Sequence, residues 1–527
     1  MRQPSRPDVR SVRLFPRLKP RVVSGTFRNT VRSVCRSNMT QEEEDVEMGL
    51  KSADRYAEAL NDGRRIVYRG QEVPNVVEHP VLGRAVRHAA VDFQLADHPE
   101  YRSLAIVDGD EEPYSRYYFI PQDADDLRRR RDLIAAATRL GGTVVPLIHE
   151  IGSDALFGLL HVAATMDREL GTGYQPRVQR FLEEARRQDW ALAVAQTDAK
   201  GDRRRRPYQQ TRPNAYLRIV ERRPDGIVVS GMKVHTSVSI NAERLLVLPT
   251  REMTESDADW AVAFAVPLNA PGLTLVASPY LGNVTNAVEH PLSFSHKMVE
   301  TMTFFDGVFV PWAEVFMAGE WAWAGPLARA FVEFHRFTAV SYKLPLLTAL
   351  VGAAGELARL NGIGAARHVR EELAQLMIYD MTVRGLLDAA AAGGAMVEPG
   401  IFRPDPALTN TAKYHFATGL HQAVERVQDL AGGTLVTAPG AEDLEHPVWG
   451  PILADYFTGA EGSGRERLKM LYLAQDLVAS ELAAYHQVLA IHAEGSIEAE
   501  KMTIVQHYPL SAAMEEAQRL AGTVVPS

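Results

Sequence analysis

The stretch 196–250 constrains the fold of this chain most. Arg223-Pro224-Asp225-Gly226 places proline second and glycine fourth, the arrangement a type I turn favours. Segments 216–221 and 227–238 flank it and 244–249 follows, all rich in Val, Ile and Leu. Runs of that kind and length around such a turn predict a β-hairpin that leads into further antiparallel sheet. Ahead of the hairpin lies Gln196-Thr197-Asp198-Ala199-Lys200-Gly201-Asp202-Arg203, which has no large apolar side chain. Such a run cannot be core. It predicts a loop whose backbone N–H groups, Thr197 hydroxyl and basic side chains surround a polar, anionic ligand group.

The sheet signal is bounded by helical ones. Segments 260–267, 273–276 and 302–310 read as more strands, with Asn269-Ala270-Pro271-Gly272 as a turn. Before them, 52–188 is mainly helical: 123–140 begins with Asp123, Asp125 and Asp126 and continues into Arg128 to Arg131, acids first and bases later as the helix dipole favours. A helix over 154–166 follows a loop at His149-Glu150-Ile151-Gly152-Ser153. Beyond 324, helical periodicity dominates in 327–361, 366–392, 408–431 and 452–493, which predicts a bundle. The expected organisation is a basic tail or mis-assigned start at 1–38, a helical domain at 39–189, a β domain at 190–323 and a helical bundle at 324–527.

At 527 residues the chain is too long for one ordinary core. A net charge of −9 argues against a nucleic-acid binder, which needs a basic face to displace counterions. No apolar run approaches the ~20 residues of a membrane span, so the expectation is a soluble, cytoplasmic protein with no membrane partner. The only cysteine is Cys35, which excludes an intrachain disulfide and every multi-cysteine metal site.

TDAKGDR at 197–203, then RPDGIVVSGMKVHTSVSINAERLLVLPT at 223–250 and HPLSFSHKMVETMTFFDGVFVPWAEVFMAGEW at 290–321, resemble the superfamily that joins 4-hydroxyphenylacetate 3-hydroxylase to 4-hydroxybutyryl-CoA dehydratase. The wording is closer to the dehydratase branch. The resemblance covers about residue 52 to the C-terminus and implies an α+β, acyl-CoA dehydrogenase-like fold: helical domain, antiparallel β domain, helical bundle. It also implies FAD, or FADH2 supplied by a separate reductase, and a homotetramer built as a dimer of dimers. By this similarity Thr197, Asp198, Lys200, Asp202, Arg203, Lys233, His235, Thr236 and Ser237 line the flavin site, with Asn241 close by, and Arg336 engages the flavin or an acyl substrate. Read on residue types alone, the same loop is a salt-bridged surface loop.

The chain departs from both branches. The dehydratase pattern implies histidine, tyrosine four residues later and cysteine seven later, with two more cysteines in an earlier loop, as ligands of a four-iron cluster. Here stand His290, Phe294 and Lys297, and 146–150 holds no cysteine. Such clusters need thiolates for most ligands, so the cluster is not expected. His290 remains a candidate general base, since imidazole titrates near neutrality. The hydroxylase branch implies an Arg-x-x-x-Tyr pair near 149–153 and a histidine near Val194, both missing; His149 or Glu150 is the polar group left for a substrate. A family carboxylate falls near Glu461 and Glu466, and Glu461 is the catalytic candidate, Glu466 reading as a helix-start acid.

These readings predict a flavin-dependent monooxygenase acting on an aromatic or small metabolite, in which Phe294, Phe304, Phe305 and Trp312 help make a dry pocket. The alternatives are a cluster-free dehydratase or isomerase of a CoA thioester with His290 as base, and a non-catalytic flavoprotein.

Overall fold

A computed structural model describes residues 49–109 and 112–523. The expectations for 1–38 and for Cys35 lie outside the described residues.

The predicted hairpin forms. Arg218–Arg222 and Gly226–Ser237 pair antiparallel, with Arg222 opposite Ile227 and the turn closed by Arg223 N–H donating to the Gly226 carbonyl at 2.8 Å. Glycine is required at 226 because a Cβ there would meet the Val310 carbonyl oxygen at 2.2 Å. The hairpin is the edge of a six-stranded sheet whose order is Gln71–Val73, Ile66–Tyr68, Leu273–Ala277, Glu300–Pro311, Gly226–Ser237, Arg218–Arg222. A second sheet of four strands runs Val315–Ala318, Val262–Pro267, Arg244–Val247, Leu192–Ala195. The inner sides of the two sheets share one core, in which Phe264 and Phe305 meet edge to face with centroids 6.1 Å apart. The β region also borrows from the helical one: the short hairpin 66–73 joins the larger sheet through parallel pairing of Ile66 with Leu275.

Asp123 caps the helix Ala124–Leu140 as its acidic start predicts, accepting from the backbone N–H of Asp125 and Asp126. The next helix, Glu150–Leu170, begins four residues earlier than expected, so that Glu150 to Ser153 form its first turn rather than a loop. Gly152 is there for packing, since a Cβ would lie 2.2 Å from Leu192 Cβ.

Beyond the sheets, Trp321–Leu360, Arg367–Ala392 and Pro406–Ala431 form the bundle. The segment expected over 452–493 is three helices, Trp449–Tyr456, Gly464–Val478 and Glu481–His492. Ser463 and Ser480 cap the last two, which is why the chain restarts there. Ile497–His507 and Leu510–Leu520 follow, and the former packs against Pro406–Ala431. Trp321–Leu360 is the one described helix long and apolar enough to cross a membrane, but 78% of its most apolar window is buried inside the protein. Its apolarity is that of a core helix. Helices, then sheets, then a helical bundle is the architecture the resemblance implies.

Candidate functional site

The loop that leaves the strand Leu192–Ala195 is stitched onto the strand Gly226–Ser237. Val234 N–H donates to the Thr197 carbonyl at 2.8 Å, and Asp198 bridges to Lys233. Lys233 Nζ reaches Asp198 Oδ1 at 2.9 Å and the carbonyls of Gln196 at 2.8 Å and Leu248 at 3.0 Å, so its three donors are spent. Asp198 in turn accepts from Leu217 N–H at 2.9 Å and from the Thr250 hydroxyl. Burial lowers the Lys233 pKa, and Asp198 opposes the shift. Both residues are therefore a joint that sets the loop on the sheet, with no polar atom of the lysine left for a ligand.

Beyond the joint the loop opens outward. Lys200 and Gly201 adopt left-handed backbone, φ 68° and 52°. Gln210 holds the loop by accepting from Asp202 N–H at 3.0 Å and donating to the Asp202 carbonyl at 2.9 Å. Asp202 pairs with Arg204 and Arg205 and Arg203 is exposed, while Lys200 is half-buried with no ion pair among the described residues. Burial and the nearby Arg203 lower the Lys200 pKa. On the strand, His235 is exposed at φ 56°. Thr236 is fully buried and its Oγ1 has no partner; the same is true of Asn241 Oδ1, although Asn241 Nδ2 donates to the Ala85 carbonyl at 3.2 Å. A buried hydroxyl or amide oxygen without a partner costs free energy unless something else supplies it. Thr236 and Asn241 thus keep buried oxygens without a partner and Lys200 keeps an amine without an ion pair among the described residues, groups of the kinds that a cofactor with amide edges and phosphates would use.

Ser237 faces a different set. Its hydroxyl lies 3.0 and 2.9 Å from the two oxygens of Glu300, and Tyr485 OH donates to Glu300 Oε1 at 2.6 Å. Tyr485 stacks on Tyr280 with centroids 4.6 Å apart, and Lys297 Nζ sits 4.1 Å from the Tyr280 ring centroid while donating to the Tyr280 carbonyl. Burial, assisted by Arg84, brings the Lys297 amine down to about 7, and burial raises the Glu300 carboxyl. Glu300, Tyr280 and Tyr485 were missed from sequence because their partners lie on other elements, far along the chain.

His290 is on the loop between Leu273–Ala277 and Glu300–Pro311, its side chain 32% exposed and its Nδ1 3.8 Å from Asp476 Oδ1. Asp476 is buried and holds the loop by accepting from Leu292 N–H at 2.9 Å, Ser293 N–H at 2.8 Å and Ser293 Oγ at 2.7 Å. Phe294 is half-buried nearby. Phe304 and Phe305 are strand neighbours and alternate: Phe305 is in the core and Phe304 is exposed, so the two cannot line one pocket.

His149 is buried between Asp92, 3.2 Å from Nδ1, and Asp189, 3.2 Å from Nε2, and its ring is parallel to that of Tyr117. Burial alone would lower its pKa, but the two carboxylates outweigh that and raise it to about 10. Its neighbour Glu150 is pushed upward by burial and by Asp92. This is a charged brace among helices.

Glu461 pairs with Arg359 at 2.7 Å on the surface, at the end of the helix Trp321–Leu360. Arg336 lies 23 residues earlier on that helix, roughly 35 Å along its axis at 1.5 Å per residue, so one chain does not bring Glu461 and Arg336 together. Glu466 completes the capping box of Ser463. Arg336 is buried, with Nε donating to the Glu494 carbonyl at 2.9 Å and Nη1 to Asn410 Oδ1 at 2.6 Å.

A helical domain, two packed sheets and a helical bundle with a polar loop–strand junction between them define an acyl-CoA dehydrogenase-like protein. Residues 52–317 match the 4-hydroxyphenylacetate 3-hydroxylase N-terminal family model and 324–522 the C-terminal one. The chain belongs to the 4-hydroxyphenylacetate 3-hydroxylase family. It is 28% identical over 490 residues to the 4-hydroxybutyryl-CoA dehydratase/vinylacetyl-CoA-Delta-isomerase of Clostridium aminobutyricum, covering 90% of this chain and 99% of that one. It is 26% identical to the 4-hydroxyphenylacetate 3-monooxygenase oxygenase component of Thermus thermophilus, covering 82% and 89%. Among solved structures, an oxygen-tolerant 4-hydroxybutyryl-CoA dehydratase from N. maritimus superposes with a TM-score of 0.85 at 27% identity, covering 90% and 96%. The oxygenase component of 4-hydroxyphenylacetate 3-monooxygenase complexed with FAD does so with 0.82 at 24% identity, covering 89% and 98%.

Proposed function

We propose that this chain is the oxygenase component of a two-component flavin monooxygenase, which receives reduced FAD from a separate reductase and hydroxylates an aromatic or small metabolite. The observation that carries this reading is the strand Gly226–Ser237, to which the loop 196–206 is joined through Lys233 and Asp198 and in which the Thr236 hydroxyl is buried without a partner. Thr197, Lys200 and Arg203 would hold the cofactor's phosphates and Thr236 and Asn241 its polar edges, with Asp198 and Lys233 fixing the loop. Reduced FAD, when bound, supplies the electrons for oxygen activation and transfer. The protein's part is to orient the cofactor and keep water away. Relatives named as FADH2-dependent or oxygenase components favour this class. A homotetramer acting in the cytoplasm belongs to the same reading.

The test is to mix the protein anaerobically with reduced FAD and then with oxygenated buffer in a stopped-flow instrument. A transient absorbance distinct from reduced and oxidised flavin supports the oxygenase. Direct reoxidation without a transient, over several pH values, overturns it.

The full-length likeness to the dehydratase favours a second reading, a lyase or isomerase of a CoA thioester. His290, partly exposed beside Asp476, is its base. The iron–sulfur chemistry of that branch has no ligands here, because Lys297 stands where the pattern needs cysteine and Cys35 is the only cysteine. Turnover of 4-hydroxybutyryl-CoA lost in His290→Gln would establish this alternative.

A further inference from the structure

Glu300 differs from other carboxyl groups of the interior. Asp154, Asp198, Glu494 and Glu500 lie against Arg130, Lys233, Lys343 and Lys413. Among the described residues no lysine, arginine or histidine forms an ion pair with Glu300. The groups acting on it are the hydroxyls of Ser237 and Tyr485, the exposed His235 of the neighbouring strand and the Glu494 carboxylate, which itself takes Lys343 and Lys413. Tyr280 and Tyr342 complete its titratable surroundings. A carboxylate inside the protein with a second one near it and no cation against it is costly, and a proton is the smallest group that removes the charge. Burial raises the Glu300 pKa against the two hydroxyl donors, which favours that proton.

The geometry sets three groups in a row. Ser237 stands opposite Glu300 in the pairing of their strands, with Oγ 3.0 and 2.9 Å from the two carboxyl oxygens. Tyr485 OH, from the helix Glu481–His492, is 2.6 Å from Oε1. A hydroxyl both donates and accepts, so each takes a proton on one side while giving its own on the other. Ser237, Glu300, Tyr280 and Tyr485 are all partly exposed, so the row is reachable.

Both ends of the row lead to features of their own. Beside Ser237 the strand pairing is irregular: Thr301 faces Thr236 and Thr303 faces Lys233, which leaves Val234 and His235 opposite Met302 alone, His235 at φ 56°. Such a bulge re-aims side chains and is over-represented next to active sites. At the other end Tyr485 lines a narrow cavity of about 20 Å³, room for one water molecule. Thr143 and His486 line it too, and Thr143 Oγ1 and His486 Nε2 are buried without a partner.

We propose that Glu300 holds a proton in the free protein and relays it between Tyr485, at the cavity, and Ser237, on the strand that would carry the flavin. This rests on the oxygenase reading for the proton's destination; the holding of the proton does not. Hydroxylation takes R–H, O2 and FADH2 to R–OH, water and FAD, so one oxygen atom leaves as water and must gain protons on the way. Ser237 gives its hydroxyl proton to that oxygen, the Glu300 acid gives its own to Ser237 Oγ, and Tyr485 gives its own to the Glu300 carboxylate and takes one from the cavity. Each O–H bond broken is matched by one formed, and no charge stays behind in the interior. Glu300 acts through Ser237 and is a positioning residue for the proton.

The first test needs no flavin. Infrared difference spectra of the full chain, wild type minus Glu300→Gln, at pH 6, where exposed carboxyls are ionised, should show the C=O band of a carboxylic acid that shifts in D2O. Carboxylate bands in its place overturn the proposal. Should Glu300→Gln not fold, Tyr485→Phe decides: loss of that donor should move the disappearance of the acid band to higher pH than in wild type, and an unchanged titration overturns the proposal. The second test follows the transient absorbance after oxygen meets the protein loaded with reduced FAD. In Glu300→Gln its decay should slow at least 10-fold and lose most of its dependence on pH and on D2O, with FAD affinity within 2-fold of wild type. Tyr485→Phe should act likewise, and the double variant should be no slower than the slower single one, because both interrupt one path. A decay unchanged within 2-fold, or a slower one that keeps the wild-type pH profile and D2O effect, overturns the relay and leaves the oxygenase reading standing. If the wild type shows no transient, the oxygenase reading fails, and the infrared spectra alone decide whether Glu300 holds the proton.

Discussion

Lys233 Nζ and Asp198 Oδ1 are 2.9 Å apart in the interior, and this contact determines where the loop 196–206 meets the strand Gly226–Ser237. Among the described residues the lysine has no other anionic partner. Removing Asp198 leaves a buried amine without its counter-ion and the Leu217 N–H without its acceptor, while the Thr250 hydroxyl keeps the Gln196 carbonyl at 2.7 Å.

Asp198→Ala should therefore cost about 3–5 kcal/mol of stability, the range for breaking a buried pair. Asp198→Leu/Lys233→Met, which removes both charges, should lose less than the single variant. Urea denaturation compares the two. FAD affinity should fall at least 10-fold in both, because the loop loses its seat in either case, and fluorescence titration reads that loss.

The Thr236 hydroxyl has no partner in the free protein, so Thr236→Val removes nothing the fold uses. Stability should stay equal or rise by up to about 1 kcal/mol, as expected when an unsatisfied buried polar group is replaced by an isosteric methyl. FAD affinity should drop about 5–10-fold, the equivalent of one hydrogen bond of about 1–1.4 kcal/mol. If FAD binds equally well to both proteins, Thr236 is not a cofactor contact.

What the sequence made legible is what local chemistry determines. Proline, aspartate and glycine at 224–226 fix a turn through their own backbone preferences, and Asp123 starts a helix by capping the residues just after it. Long-range reasons are invisible at that scale. Gly152 resembles a helix breaker until Leu192 is seen against it, and nothing near Ile66 announces its pairing with Leu275, two hundred residues on. The site divides the same way. The loop 196–203 stands out because it has no large apolar side chain, whereas Glu300, Glu494 and Lys413 acquire their roles from partners on other elements. The polar residues taken as one flavin lining separate into a structural pair, Asp198 and Lys233, an engaged Ser237 and an unspent Thr236.

His149 gives a pH signature. Asp189 and Asp92 raise it from 6.5 to about 10 against the opposing effect of burial. A raised folded-state pKa means that the stabilisation is fully present below about 6.5 and is lost as pH climbs from there to about 10. The difference in urea midpoint between wild type and His149→Gln should thus be largest at pH 6 and shrink steadily toward pH 10. A pH-independent difference would show that the imidazole is neutral between its two carboxylates.

Lys297 has the opposite sign. Burial lowers its amine from 10.5 to about 7, so between those values the unfolded chain binds a proton the folded one lacks, and stability rises with pH. Below about 7 the folded protein bears the full cost of a buried ammonium; near 10.5 that cost has gone. Lys297→Met keeps the volume and removes the charge. Relative to wild type it should be stabilised most at pH 6 and lose that advantage as pH approaches 10, where the lost bond to the Tyr280 carbonyl is what remains. Thermal melts of the two proteins at pH 6, 8 and 10 separate the outcomes. An advantage that does not change with pH would mean that the ammonium is solvated or paired in the native state, and that Lys297 is a charged group facing the Tyr280 ring rather than a neutral one beneath it.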